Sequence, residues 1–196
     1  MCKFSESSKQ KLGNTLIYMA EHTLNLSKTK SLKLLFLMEE YMVKRYHVPF
    51  LALPFEVWQA GPVVKDVFID LSDSGQLLGE FIRTETLDGG TYIKSLKPFS
   101  DDEFSDCEIE MMDEIIKKYG HKTAKQLVDE VHKEGSLWYN VAKENNLLED
   151  FYNGISNNSS FLIDFSRDLA GCAKEYYLES LAIHQTANIL KVQANV

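Results

Sequence analysis

Apolar residues in the first quarter of the chain follow a helical period in two runs of different character. Between about residues 8 and 24, Leu12, Leu16, Met19 and Ala20 are separated by polar residues, which predicts an amphipathic helix ended near Asn25. Between about 31 and 46, Leu32, Leu34, Leu35, Phe36, Leu37, Met38, Tyr41, Met42 and Val43 cover most of a helix circumference. A helix apolar nearly all round is a buried one, so this second helix is expected at the centre of the core. It should stop near His47, because Pro49 disfavours helical backbone at Val48 and cannot continue the ladder itself.

The period then changes. Phe55 and Val57 alternate with Glu56 and Trp58, a short strand pattern, and Ala60-Gly61-Pro62 demands a turn. Pro62 suits a first helical position, and Val64, Val67, Phe68 and Leu71 recur at helical spacing, so a helix is expected from Pro62. Phe81–Thr86 and Thr91–Ser95 flank Asp88-Gly89, a hairpin signal, and the Phe55 strand is a candidate third member of that sheet.

Asp101 to Glu114 holds eight acids and no base. Since Ile109, Met112, Ile115, Ile116 and Tyr119 keep a helical period, those acids crowd the favourable amino end of a helix closed by Gly120. Thr123 and Gln126 form a capping-box pattern before Leu127, Val128 and Val131, and beyond Gly135-Ser136 another short helix carries Leu137, Trp138 and Val141. Asp150 to Ser160 reads as a loop or linker. Leu162, Ile163, Phe165, Leu169, Tyr176, Tyr177 and Leu181 suggest a helical C-terminal segment whose period fades after Ile183. The expected architecture is mainly α with a small antiparallel β-sheet (α+β), a compact helical domain over 1–150 around the buried helix. Residues 151–196 pack on that domain or extend it.

Length and composition, 196 residues with 44% hydrophobic and 26% charged, suit a soluble domain able to bury a core. No apolar run reaches membrane-spanning length and the start is too polar for a signal peptide, so a cytoplasmic protein is expected. Cys2, Cys107 and Cys172 are odd in number and far apart, which suggests neither a disulfide framework nor a zinc site. Charge is uneven: residues 1–50 hold eight Lys/Arg against four Asp/Glu, while 51–196 hold thirteen against twenty-five. The net charge of −8 opposes broad nucleic-acid binding.

Catalytic signals are missing. No G-x-S-x-G, Walker loop or dinucleotide glycine pattern occurs, and Cys107 stands among Asp106, Glu108 and Glu110, a setting that does not activate a thiol. His132 beside Asp129 or Glu130 lacks a closed metal-ligand set and reads as a structural or surface histidine. No metal, cofactor or enzymatic activity is expected. A helix-turn-helix DNA-binding regulator is the rival reading, with Ser27-Lys-Thr-Lys30 opening the second helix near phosphate. Against it, residues 32–43 offer little polar face for base edges.

Lys33-Leu-Leu-Phe-Leu37, Phe55-Glu-Val-Trp-Gln-Ala-Gly-Pro-Val-Val64, Tyr119-Gly120, Leu127 and Ser136-Leu-Trp138 resemble, in order and spacing, the Panacea domain family, also called SocA-like or phage-associated GepA-like. The likeness spans roughly residues 10–145, and Trp58, Gly61, Pro62 and Val63 form its most specific part, with Trp138 as a later element. It implies a compact helical domain with a small antiparallel sheet, acting as the antitoxin of a bacterial or phage toxin–antitoxin pair. The partner would be a cognate protein toxin, and in some members a protease to which the toxin is delivered. An acidic protein suits a basic toxin. Gln59 stands where relatives often have an aromatic or basic residue. Trp58 is read two ways, as a ring buried under the hairpin and as a contact residue.

Overall fold

The computed structural model describes residues 4–73 and 75–194; Cys2 lies outside these. The chain is mainly helical with two small antiparallel sheets, the α+β class expected. Helix α1 spans Glu6–His22, with the Ser5 hydroxyl accepting from the Ser8 N–H at its start. Helix α2 spans Lys28–Tyr46, opened by the Ser27 hydroxyl and closed by His47 in the left-handed region at φ 58°. Every residue from Lys30 to Glu39 is buried. Helix α2 touches β2, β4, α4, α5 and the 3-10 turn defined below, so it is the hub of the core that its composition predicts.

Three of its buried residues are charged: Lys30, Lys33 and Glu39. The Glu39 carboxylate accepts from the Phe50 and Leu51 N–H groups at 3.1 and 2.9 Å, holding the loop that follows the helix. Burial pushes its acid up to about 7 against those hydrogen bonds, which pull the other way. Lys30 donates to the Gly120 carbonyl at 2.5 Å, satisfying the end of α4, Asp106–Tyr119.

The first hairpin corrects the expectation of a helix from Pro62. Strand β1 (Phe55–Trp58) pairs with β2 (Gly61–Val64), Trp58 opposite Gly61 across the two-residue loop Gln59-Ala60. Helix α3 begins only at Lys65 and runs to Asp70. Pro62 is tolerated in a strand because Val57, opposite it, directs its N–H to the Phe161 carbonyl instead, at 2.9 Å. The proline's missing donor therefore breaks no ladder bond. The β-branched Val63 and Val64 complete the strand, both buried.

Strands β3 (Ile82–Leu87) and β4 (Gly90–Ser95) turn at Asp88-Gly89 as expected, with positive φ at both turn residues. The Phe55 strand does not join them. Its second edge is taken by residues 157–163: Gln59 N–H donates to the Asn157 carbonyl, Ile163 N–H to the Phe55 carbonyl, and the Ser159 hydroxyl to the Val57 carbonyl. Sheet β3–β4 packs on α1 instead, where Gly13 lies so close to the Phe81 ring that a Cβ would sit 2.3 Å from it.

Helix α4 opens on a capping box from Ser105 and Glu108, and α5 (Ala124–Val131) on the expected one from Thr123 and Gln126. Helices α6 (Leu137–Glu144) and α7 (Leu147–Tyr152) follow. The expected loop over 150–160 thus begins with helix and ends in the extended stretch beside β1. The expected helical run over 162–169 is also corrected. Ile163 and Phe165 are buried at strand spacing, residues Phe165–Asp168 form a 3-10 turn, and helix α8 runs Gly171–Ala194. Ile163, Phe165 and Tyr177 belong to the core, so the C-terminal segment is packed on the body.

Candidate functional site

Trp58, Gly61, Pro62, Val63 and Trp138 come together at one corner. Trp138 on α6 is buried, and its indole N–H donates to the Trp58 carbonyl at 3.0 Å, pinning the tip of the β1–β2 hairpin from below. Its ring stacks on His132 with centroids 3.6 Å apart and planes 12° apart, and on Phe151 at 6.2 Å. The Gln59 side chain donates to the Phe151 carbonyl at 2.7 Å, so Gln59 ties the tip to the end of α7. Pro62 and Val63 are buried scaffold.

Trp58 itself is half-buried, neither enclosed under a hairpin nor fully free. Its ring leans on Phe68 of α3 with centroids 5.0 Å apart, and its N–H donates to the Glu56 carboxylate at 2.8 Å. The Lys28 ammonium sits 4.1 Å from the centre of the Phe68 ring. Glu56 bridges to Leu162, which is exposed. Strand alternation therefore places Glu56, Trp58 and Leu162 on one outward face. A rigid aromatic with an apolar neighbour and a carboxylate beside it is a surface suited to protein contact.

Sequence reasoning missed what lies beneath. Lys33 of α2, 1% exposed, donates to the Pro62 carbonyl at 2.8 Å, and burial pushes its amine down to about 7. Gly61 has φ 96°, and a Cβ there would stand 2.7 Å from Lys33 Cε and 3.0 Å from Val131 Cγ2. The His132 Nε2 is buried with no hydrogen-bond partner; burial first, then the Lys33 charge, pushes the imidazole down to about 4. The only signal of this arrangement in the sequence was a lysine inside an otherwise apolar run.

Lys33 gives a testable pH dependence. Its amine titrates near 10.5 when unfolded and near 7 when folded, so between those values the unfolded chain binds the extra proton. Stability therefore rises through this residue as pH increases from about 7 to 10.5. In urea titrations at pH 7 and pH 9.5, Lys33→Met is expected to lose that rise; an equal rise in both proteins would refute the assignment.

The other sequence candidates do not converge. His132 faces Trp138, while Glu130 pairs with Lys122 and Lys133 and Asp129 is exposed. Among the described residues, no group of three or more His, Cys, Asp or Glu side chains is placed to hold a metal ion. The acidic run is partly used internally: Glu108 pairs with Lys11 at 2.6 Å, Asp113 accepts from Tyr18 and Glu114 from Tyr41. Helix α2, buried from Lys30 to Glu39, presents no recognition face there. Among the described residues, no helix is long and apolar enough to cross a membrane.

No curated protein and no solved structure matches the chain. The sequence pattern of the family described as antitoxin SocA-like, Panacea domain, matches residues 32–139, more than half of the chain and inclusive of most of α2, both hairpins and Trp138. The chain therefore belongs to the SocA-like antitoxin family that carries the Panacea domain.

Proposed function

We propose that this protein neutralises a toxin of a bacterial or phage toxin–antitoxin pair by binding it directly in the cytoplasm, without catalysis, metal or cofactor. The observation that carries the reading is the partly exposed Trp58 on a hairpin tip fixed by Trp138, Lys33 and the 157–163 stretch. A preformed aromatic contact limits the ordering cost of binding, which is where much association energy is otherwise lost. The acidic balance beyond residue 50 favours a basic toxin.

The test is growth of cells co-expressing a toxin that the wild type neutralises with the wild type or Trp58→Ala. Because Trp58 is only half-buried, Trp58→Ala is expected to cost no more than about 2 kcal/mol, below the range for enclosed aromatics. Protection should be lost while the melting point stays close to normal. Full protection by Trp58→Ala would remove Trp58 from the contact. Toxin lifetime in the same cells separates blocking, which leaves it unchanged, from delivery to a protease, which shortens it.

A further inference from the structure

Helix α8 lies beyond the family-matched region and carries two faces. One is engaged. Tyr177 is buried, Leu181 packs on the core, and the Asn188 side-chain oxygen accepts from the Ser5 N–H and the Ser8 hydroxyl, each at 3.0 Å. About a quarter-turn or more around the helix run Tyr176, Ser180, Ile183, Ala187 and Leu190, spaced alternately four and three residues apart. That alternation is the spacing of a helix-pairing seam. Tyr176, Ile183 and Leu190 are 57%, 64% and 60% exposed.

We propose that this seam pairs antiparallel with the same seam of a second copy of the chain. The sizes along it read the same in both directions about Ile183. A twofold axis there sets Ile183 on Ile183, Tyr176 near Leu190, and the small Ser180 near the small Ala187. Charge favours self-pairing over the basic partner proposed for the Trp58 corner. No seam position is charged, and the only formal charge between Tyr176 and Leu190 is Glu179, which the antiparallel arrangement sets opposite the uncharged Ala187 and its neighbour Thr186. Two copies that each carry a net −8 can therefore approach along this stripe without like charges facing one another. With their flanks, the exposed seam side chains offer on the order of 500 Å² per copy, so a pair approaches the roughly 1,000 Å² at which specific interfaces begin.

The test measures the mass of the full chain by sedimentation across micromolar concentrations. The wild type should be a dimer in equilibrium with monomer, and Ile183→Glu should raise the dissociation constant roughly 100-fold or more, because it places two carboxylates at the centre of the pair. Ile183 is exposed, so circular dichroism of the variant should match the wild type. A second measurement does not depend on that variant. With the native cysteines changed to Ser, Ile183→Cys should cross-link to itself on oxidation, whereas Tyr176→Cys should cross-link to Leu190→Cys and not to itself. A wild type monomeric at 100 µM, dimerisation indifferent to Ile183→Glu, or Tyr176→Cys linking to itself would each overturn the proposal.

Discussion

Trp138→Ala is expected to cost about 3–5 kcal/mol of stability, the range for removing an enclosed large aromatic. Three losses combine. A cavity opens between α6 and the hairpin, His132 and Phe151 lose their stacking partner, and the Trp58 carbonyl loses its donor. Trp138→Phe separates them, since it keeps a ring but not the N–H; it should cost roughly 1–2 kcal/mol, near the value of one hydrogen bond plus imperfect packing. Urea unfolding of the three proteins measures both differences. A loss below 1 kcal/mol for Trp138→Ala would show that the corner does not rest on this ring.

Gly61→Val is expected to be comparably damaging for unrelated reasons. At φ 96° a side chain is strained, which costs about 1–3 kcal/mol. The added carbon meets Lys33 Cε at 2.7 Å and Val131 Cγ2 at 3.0 Å, and overpacking of that kind costs about another 1–3 kcal/mol. Gly61→Ala carries the same strain with less bulk, so it should fall between glycine and valine. For a chain of this size each kcal/mol lowers the melting point by about 2–4 °C, so the valine variant should melt well below the wild type. Neutralisation should fail with it, because Lys33 and Pro62 can no longer hold the tip. A Gly61→Ala protein melting like the wild type would mean that neither the backbone angle nor the close approach matters.

Helices α1, α2, α4, α5 and α6 were legible because each obeys a local rule. Thr123 caps, Gly120 closes, and α2 is apolar nearly all round, so burial followed from its own composition. The hairpin at Asp88-Gly89 was legible from its turn chemistry. Pro62 was misread because proline at a helix start and proline opposite an outward-directed N–H look alike in sequence; only the position of Phe161 distinguishes them. Ile163 and Phe165 were misread for a similar reason, since a few apolar residues fit both periods when the pairing strand is distant. At the site, the tryptophans, Gly61 and Pro62 stood out, whereas Lys33 was hidden. A buried amine inside α2 makes sense only once the Pro62 carbonyl is brought to it.

The stretch at 157–163 also sets a condition on synthesis. The hydrogen bonds that complete β1 reach across about a hundred residues, as between Ser159 and Val57, and Trp138 reaches back eighty residues to Trp58. A growing polypeptide has made the whole recognition corner long before it can close it. Until Ile163 has left the ribosome, β1 keeps an open edge, the kind of template on which other strands and aggregates build. Translation that stops between Val64 and Trp138 would leave a fragment carrying Trp58 to Val63 with Lys33 alone of the three groups that hold the tip. Such a fragment would be open to cellular proteases, and the contact proposed above would become available only when the chain is nearly complete.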